Sequence, residues 1–161
     1  MTAVDAAPTG ANDSTLTLGV AEYLEPVVID LTALALEGKQ AHWHVRGANF
    51  IAVHELLDTV VDHARAGSDQ TAERIAALGL PLDARTAAVA KRTTVPAVRS
   101  GFQPSALLIE DMVTAIDAAL VTLRAAIDGL GDLDPVSEDI AIGITDQLEL
   151  DRWFLFSHIA E

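Results

Sequence analysis

Apolar residues recur at intervals of three and four along most of this chain, the period of helices that bury one face. The first such run covers 15–46, with Leu24, Val27, Val28, Leu31, Leu34 and Ala35 on one side and Pro26 as an internal position that can kink it. The second covers 49–78, with Val53, Leu57, Val61, Ala64 and Ile75 on its apolar side and Gly79 as its stop. Residues 80–104 hold three prolines and no sustained pattern, which predicts a long crossover with room for one short helix. A third helix follows over 105–130, through Leu108, Met112, Ile116, Leu120, Leu123 and Ile127. The fourth opens at Asp134-Pro135, an N-cap followed by proline at the first helical position, and runs to about residue 159. The fold class is therefore all-α. Its four long helices and one long crossover, which sets the second and third helices parallel, describe a four-helix bundle. Residues 1–14, rich in Ala, Pro, Gly, Asn, Asp and Thr without a period, read as a flexible tail ahead of a single domain over 15–161.

The polar positions of the second helix carry the chemistry. His54, Asp58, Asp69 and Glu73 fall within a sector roughly 100° wide. Asp58 and Asp69 are nevertheless separated by about 16 Å along the axis, too far for two carboxylates to share one ion. A two-fold axis between antiparallel copies of this helix removes the difficulty by setting His54 and Asp58 of one chain against Asp69 and Glu73 of another, and it creates two equivalent sites. His42, ahead of the break at Arg46-Gly47-Ala48, completes the first chain's side. Imidazole mixed with carboxylate, without thiolate, suits iron(II), manganese or zinc. Asp62 and Arg65 share the same sector, so a solvated face is the plain alternative for this stripe taken alone.

Composition narrows the classes. Half the residues are hydrophobic while the formal net charge is −14, so the apolar excess is expected to serve subunit contacts as well as a core, giving a homo-oligomer. There is no cysteine, hence no disulfide framework, no zinc–thiolate site and no thiol for peroxide to attack. With 24 acidic against 10 basic residues, and no Lys or Arg in the first 38 positions, nucleic acid is an unfavourable partner and cations are favourable ones. The absence of a signal-like N-terminus and of any run of 18 apolar residues leads to the expectation of a cytoplasmic protein with no membrane span.

Taken together, Gly38-Lys39-Gln40-Ala41-His42-Trp43, Asn49-Phe50, His54-Glu55 with Asp58, Asp69 with Ala72-Glu73-Arg74-Ile75, and Asp151-Arg152-Trp153-Phe154 resemble the Dps family of ferritin-like miniferritins. The resemblance covers everything after the tail. It implies a ferritin-like bundle assembled as a hollow dodecamer, with a ferroxidase centre across each dimer interface. Iron(II) would be oxidised there, preferably by hydrogen peroxide and otherwise by oxygen, and stored as ferric oxyhydroxide; zinc or manganese would be substitutes. On this likeness His42, His54 and Asp58 serve one subunit's side and Asp69 and Glu73 the mate's, with Glu73 the best candidate for direct or bridging coordination. Many relatives have Asn in place of His44, which lies on a different helix face from His42. DNA-binding relatives carry a lysine-rich terminal arm that neither end has here, so direct DNA binding is not expected.

Other residues keep two readings. Trp43, next to His42, is a candidate electron donor or a packing residue. Asp132, Asp134, Glu138 and Asp139 resemble an acidic iron-entry pore about a three-fold axis; Asp139 is the better pore candidate, and Asp134 is favoured as the N-cap before Pro135. His63 projects opposite His54 and is expected to be exposed, Trp153 is expected to pack on the fourth helix, and His158 is assigned no chemistry. Two alternatives to ferroxidase action stay open: a shell that compacts DNA, and a helical oligomer holding zinc or manganese without turnover.

Overall fold

The computed structural model describes residues 14–160, with side chains from residue 17. Its elements are α1 (Ser14–His44), β1 (Val45–Arg46), α2 (Phe50–Ala77), α3 (Thr86–Arg92), β2 (Gln103–Pro104), α4 (Ser105–Leu130) and α5 (Pro135–Ser157). The expected tail lies outside the described residues except for Ser14, which opens α1. Among the described residues no helix is long and apolar enough to cross a membrane.

The stripes read from the sequence in the first three long helices are buried, Ile127 only partly, and α5 adds its own inward face. Leu24, Leu31 and Leu34 of α1, Leu57 and Ile75 of α2, Met112, Ile116 and Leu123 of α4, and Leu148 and Leu155 of α5 form one core. The helix pairs α1 with α2, α4 with α5, α1 with α4 and α2 with α5 all pack, closing a four-membered bundle. The residues just before α2 and α4 pair as a two-strand parallel ladder, Val45 with Gln103 and Arg46 with Pro104. These two helices therefore start at the same end of the bundle, as a long crossover requires. α1 continues unbroken through Pro26.

Glycine matters at two points. Gly79 sits at φ +84 just past α2, where its amide donates to Ala76 O at 2.9 Å and closes the last turn. Gly38 lies where α1 meets α2, and a Cβ there would stand 2.7 Å from Val61 Cγ2. Its absence lets the two helices close beside Lys39 and Asp58.

The crossover, with α3 as its one short helix, is held by buried acid. Asp30, 2% exposed, accepts hydrogen bonds from Thr93 Oγ1, Thr94 N, Thr94 Oγ1 and Thr122 Oγ1 at 2.6–2.8 Å. A desolvated carboxylate is tolerated there because donors from the crossover and α4 converge on it. Among the basic residues of the crossover, Arg92 pairs with Glu25 at 2.8 Å and Arg99 with Glu110 and Asp111 at 3.4 and 3.3 Å.

Candidate metal centre

His42, in the last turn of α1, and His54, in the second turn of α2, stack with ring centroids 3.6 Å apart and planes 22° from parallel. Each ring reaches the other's backbone: His42 Nδ1 lies 2.9 Å from His54 O, and His54 Nδ1 lies 3.0 Å from His42 O. A carbonyl can only accept, so both Nδ1 atoms carry hydrogen, and in the neutral rings both Nε2 atoms keep a free lone pair. This reciprocal clasp also satisfies one of the carbonyls that the end of α1 leaves without a helical partner. The sequence directs this local structure through a short break: after β1, Asn49 takes a left-handed conformation (φ 59) and α2 turns back along α1. Phe50 extends the stack, its ring 5.1 Å from that of His54.

Asp58, one turn beyond His54, brings its Oδ1 to 3.3 Å from His42 Nδ1 and 2.5 Å from Lys39 Nζ. The Lys39 hydrogen bond, helped by the fields of His42, Lys39 and His54 against slight desolvation, holds its carboxyl below the usual range. Lys39 Nζ also stands 5.9 Å from the ring centroid of Trp43, which is 63% exposed. Lys39 and Phe50 belong to the motifs that carry the family resemblance, which assigns them no part in the site. The signal for Lys39 was its spacing, three and four residues before His42 and Trp43 on one helix face.

Asp69 and Glu73 stand apart from this group. Both are exposed, and Asp69 borders a groove of about 330 Å³ with Thr32, Leu36, Arg65, Ser68 and Leu82. Among the described residues no three His, Asp or Glu side chains of one chain form a metal-holding group. The structure thus brings His42, His54 and Asp58 together and leaves Asp69 and Glu73 on the same face of α2 about three to four turns away from Asp58.

The remaining expectations divide. Asp134 caps α5, accepting from Val136 N at 3.3 Å, and also accepts from Arg74 Nη2 at 2.5 Å and Ser137 Oγ at 2.6 Å. Burial alone would raise its pKa, yet the Arg74 and Ser137 hydrogen bonds outweigh that and hold it low. The favoured capping role is found; Asp139 is exposed. His44 faces away from His42, with Nδ1 2.5 Å from Gln40 Nε2 and its ring against Phe102.

Two expectations are corrected. His63 is only half-exposed: its Nδ1 donates to the Asp151 carboxylate at 2.9 and 3.0 Å, because α5 packs along that flank of α2 and Asp151 is 1% exposed. Trp153 does not pack into the bundle. It is 60% exposed and lies against Phe154, since Leu148 and Leu155 turn the opposite face of α5 inward.

Comparison with known proteins agrees with this fold. The ferritin-like domain family matches residues 21–161. The chain is 35% identical over 144 residues to the fine tangled pili major subunit of Haemophilus ducreyi, covering 87% of this chain and 74% of the relative. It is 34% identical over 142 residues to the DNA protection during starvation protein of Mycolicibacterium smegmatis, covering 87% of this chain and 76% of that one. Among solved structures, Dps from Microbacterium arborescens in its high iron form superposes with a TM-score of 0.90 at 51% identity, over 94% of this chain and 99% of that one. The bundle, the crossover and these likenesses together place the chain in the Dps family of ferritin-like proteins.

Proposed function

We propose that this protein oxidises iron(II) with hydrogen peroxide, or with oxygen, at a centre shared between two subunits, and deposits the ferric product inside a twelve-subunit shell. Iron storage and protection against oxidation is the role that Dps membership supports; the chemistry and the residues are our reading. The observation that carries it is the clasp of His42 and His54, which leaves the Nε2 of both imidazoles free, with the Asp58 carboxylate 3.3 Å from His42 Nδ1. Metal-binding histidines characteristically fix the other ring nitrogen on an acceptor in this way.

In this reading Asp69 and Glu73 of the partner subunit close the site opposite His42, His54 and Asp58. Iron is substrate here. Two ferrous ions each give one electron to peroxide, which takes up two protons and leaves as two water molecules. The carboxylates stabilise the gain in charge at each iron as it becomes ferric, and the histidines, softer ligands, favour entry of the ferrous form. Trp43, next to His42 in α1, is the candidate electron source when only one iron is present. The acidic surface draws iron(II) to the shell, and Asp139, exposed near the start of α5, is the better candidate than the capped Asp134 for lining an entry path. Zinc or manganese would occupy the same ligands without the electron transfer from iron. With a net charge of −14, protection works by consuming iron(II) and peroxide and not by coating DNA.

The test is anaerobic iron(II) mixed with peroxide or oxygen and followed by ferric absorbance, with Glu73→Ala and His42→Ala as controls. Fast oxidation suppressed by both substitutions is expected. Rates no faster than a protein-free blank would sink the ferroxidase reading.

A further inference from the structure

The α2 face that carries the candidate site also carries Asp62 and Arg65, two charges that no role described so far uses. Resting on the shared-site reading above, a two-fold axis that pairs position 54 with 73 and 58 with 69 crosses α2 between His63 and Ala64. One turn further inward from each end, the same series pairs 62 with 65. We infer that Asp62 of each subunit forms an ion pair with Arg65 of the partner subunit, so that two such pairs flank the two-fold axis and set the register in which the metal centre closes.

Charge accounting inside the protomer points the same way. Of the ten Lys and Arg residues, seven have a carboxylate partner within their own chain: Lys39, Arg74, Arg85, Arg92, Arg99, Arg124 and Arg152. Arg46 instead lies over the Phe102 ring at 3.3 Å, and Lys91, exposed in the crossover helix α3, has no ion pair among the described residues. Arg65 is exposed and, among the described residues, has no ion pair, although Asp62 is one turn away on the same helix and acidic residues outnumber basic ones by more than two to one. An arginine left bare in so acidic a chain is a vacancy of the protomer, and the two-fold mate offers the acid at the matching place. Arg65 also borders the groove floored by Val28, Ala35 and Leu36, so the pair would lie beside apolar surface that the same contact covers. Removal from water at that contact makes an ion pair more selective than one on an open face.

The pairing acts on register. Sliding α2 by one turn against its mate moves Asp58 about 6 Å from its place opposite Asp69 and opens the centre. In one direction that slip also sets Asp62 against Asp69 and Asp58 against Glu73, which is like charge on like. Asp62 and Arg65 are thus positioning residues; they touch no iron.

Charge reversal tests this on the full chain. Asp62→Arg and Arg65→Asp are made singly and together, and subunit exchange between isotopically labelled and unlabelled shells is timed by native mass spectrometry, with helicity by circular dichroism and iron oxidation on the same samples. Each single reversal is expected to speed exchange by at least about tenfold and slow iron oxidation, because like charges then face each other twice. The double reversal restores both pairs with their signs exchanged, and should return exchange to within about threefold of the original protein and recover the oxidation rate. Singles that exchange at the original rate, or a folded double variant no better than the worse single, would overturn the inference. If the exchange rates follow the expected pattern while the original protein oxidises no iron, the register contact stands and the ferroxidase reading falls. If the original protein oxidises iron and Glu73→Ala stops it, but the double reversal rescues nothing, the reverse holds.

Discussion

The two halves of the polar face of α2 are built differently. Around His54 and Asp58 the candidate ligands have partners within their own chain: two imidazoles clasp each other's backbone, and the carboxylate holds Lys39. Around Asp69 and Glu73 the same face is exposed, and among the described residues neither carboxylate has an ion pair. Preorganisation of one half and bareness of the other is what a site divided between two chains needs. The fixed half sets the geometry. In the proposed site the bare half would supply charge to a neighbour, giving up its solvation only when the neighbour arrives.

The sharpest way to break that contrast is to remove a group from each half. Glu73→Ala should lower the rate of peroxide-driven iron oxidation by more than the roughly 10–100-fold that outer-shell partners of metal sites cost. It should leave the melting temperature nearly unchanged, because an exposed, unpaired side chain contributes within about 0.5 kcal/mol. Stopped-flow absorbance and thermal denaturation read the two effects; a Glu73→Ala protein that oxidises iron at the original rate would remove the bare half from the site.

His42→Ala should lose oxidation to a similar extent and also destabilise the fold, by about 1–3 kcal/mol, since it deletes a buried ring and leaves a carbonyl without its donor. Denaturant titration checks this. Equal stability losses for His42→Ala and Glu73→Ala would erase the distinction between the halves.

Lys39→Met sharpens the comparison by freeing Asp58. Without the ammonium, the carboxylate is expected to bind zinc, a redox-silent probe, a few-fold more tightly at low salt, an effect that should fade as salt screens it. Calorimetric titration at two ionic strengths measures it. The same variant should let the Asp58 pKa rise toward the ordinary carboxylate value. In the unaltered protein the depressed pKa makes a small stabilising contribution above the unfolded-state pKa, and that contribution is lost as pH falls through the folded value. Carboxyl chemical shifts across an acid titration would show the difference, and an unchanged titration would mean that Lys39 is not the cause.

His63→Ala marks the edge of the site and should have the smallest effect on iron oxidation, none beyond error. It exposes the buried Asp151 carboxylate to a missing partner, so a loss of about 1–3 kcal/mol in stability is expected by chemical denaturation. A substantial fall in oxidation rate would extend the functional surface to the α5 flank of α2.

What the sequence determined by itself was periodic. Spacings of three and four placed the first three long helices, Asp134-Pro135 opened the fourth, Gly79 marked the end of the second, and the face shared by His54, Asp58, Asp69 and Glu73 followed from 100° per residue. The rise per residue puts Asp58 and Asp69 of one helix too far apart to share one ion. Pairings between elements far apart in sequence were decided only by the tertiary structure. His63 was read as exposed because its own helix says nothing about Asp151, 88 positions away. Trp153 was read as packed because a large ring usually is, whereas the side of α5 that faces inward is fixed by where α2 and α4 lie. Lys39 met Asp58 only once Gly38 let α1 and α2 close together. The clasp of His42 and His54, which decides which ring nitrogens are free, depends on two backbone carbonyls whose directions no side-chain pattern encodes. Local geometry is written in the period of the residues, but which polar groups satisfy one another depends on packing, because a hydrogen bond needs both partners brought to about 3 Å.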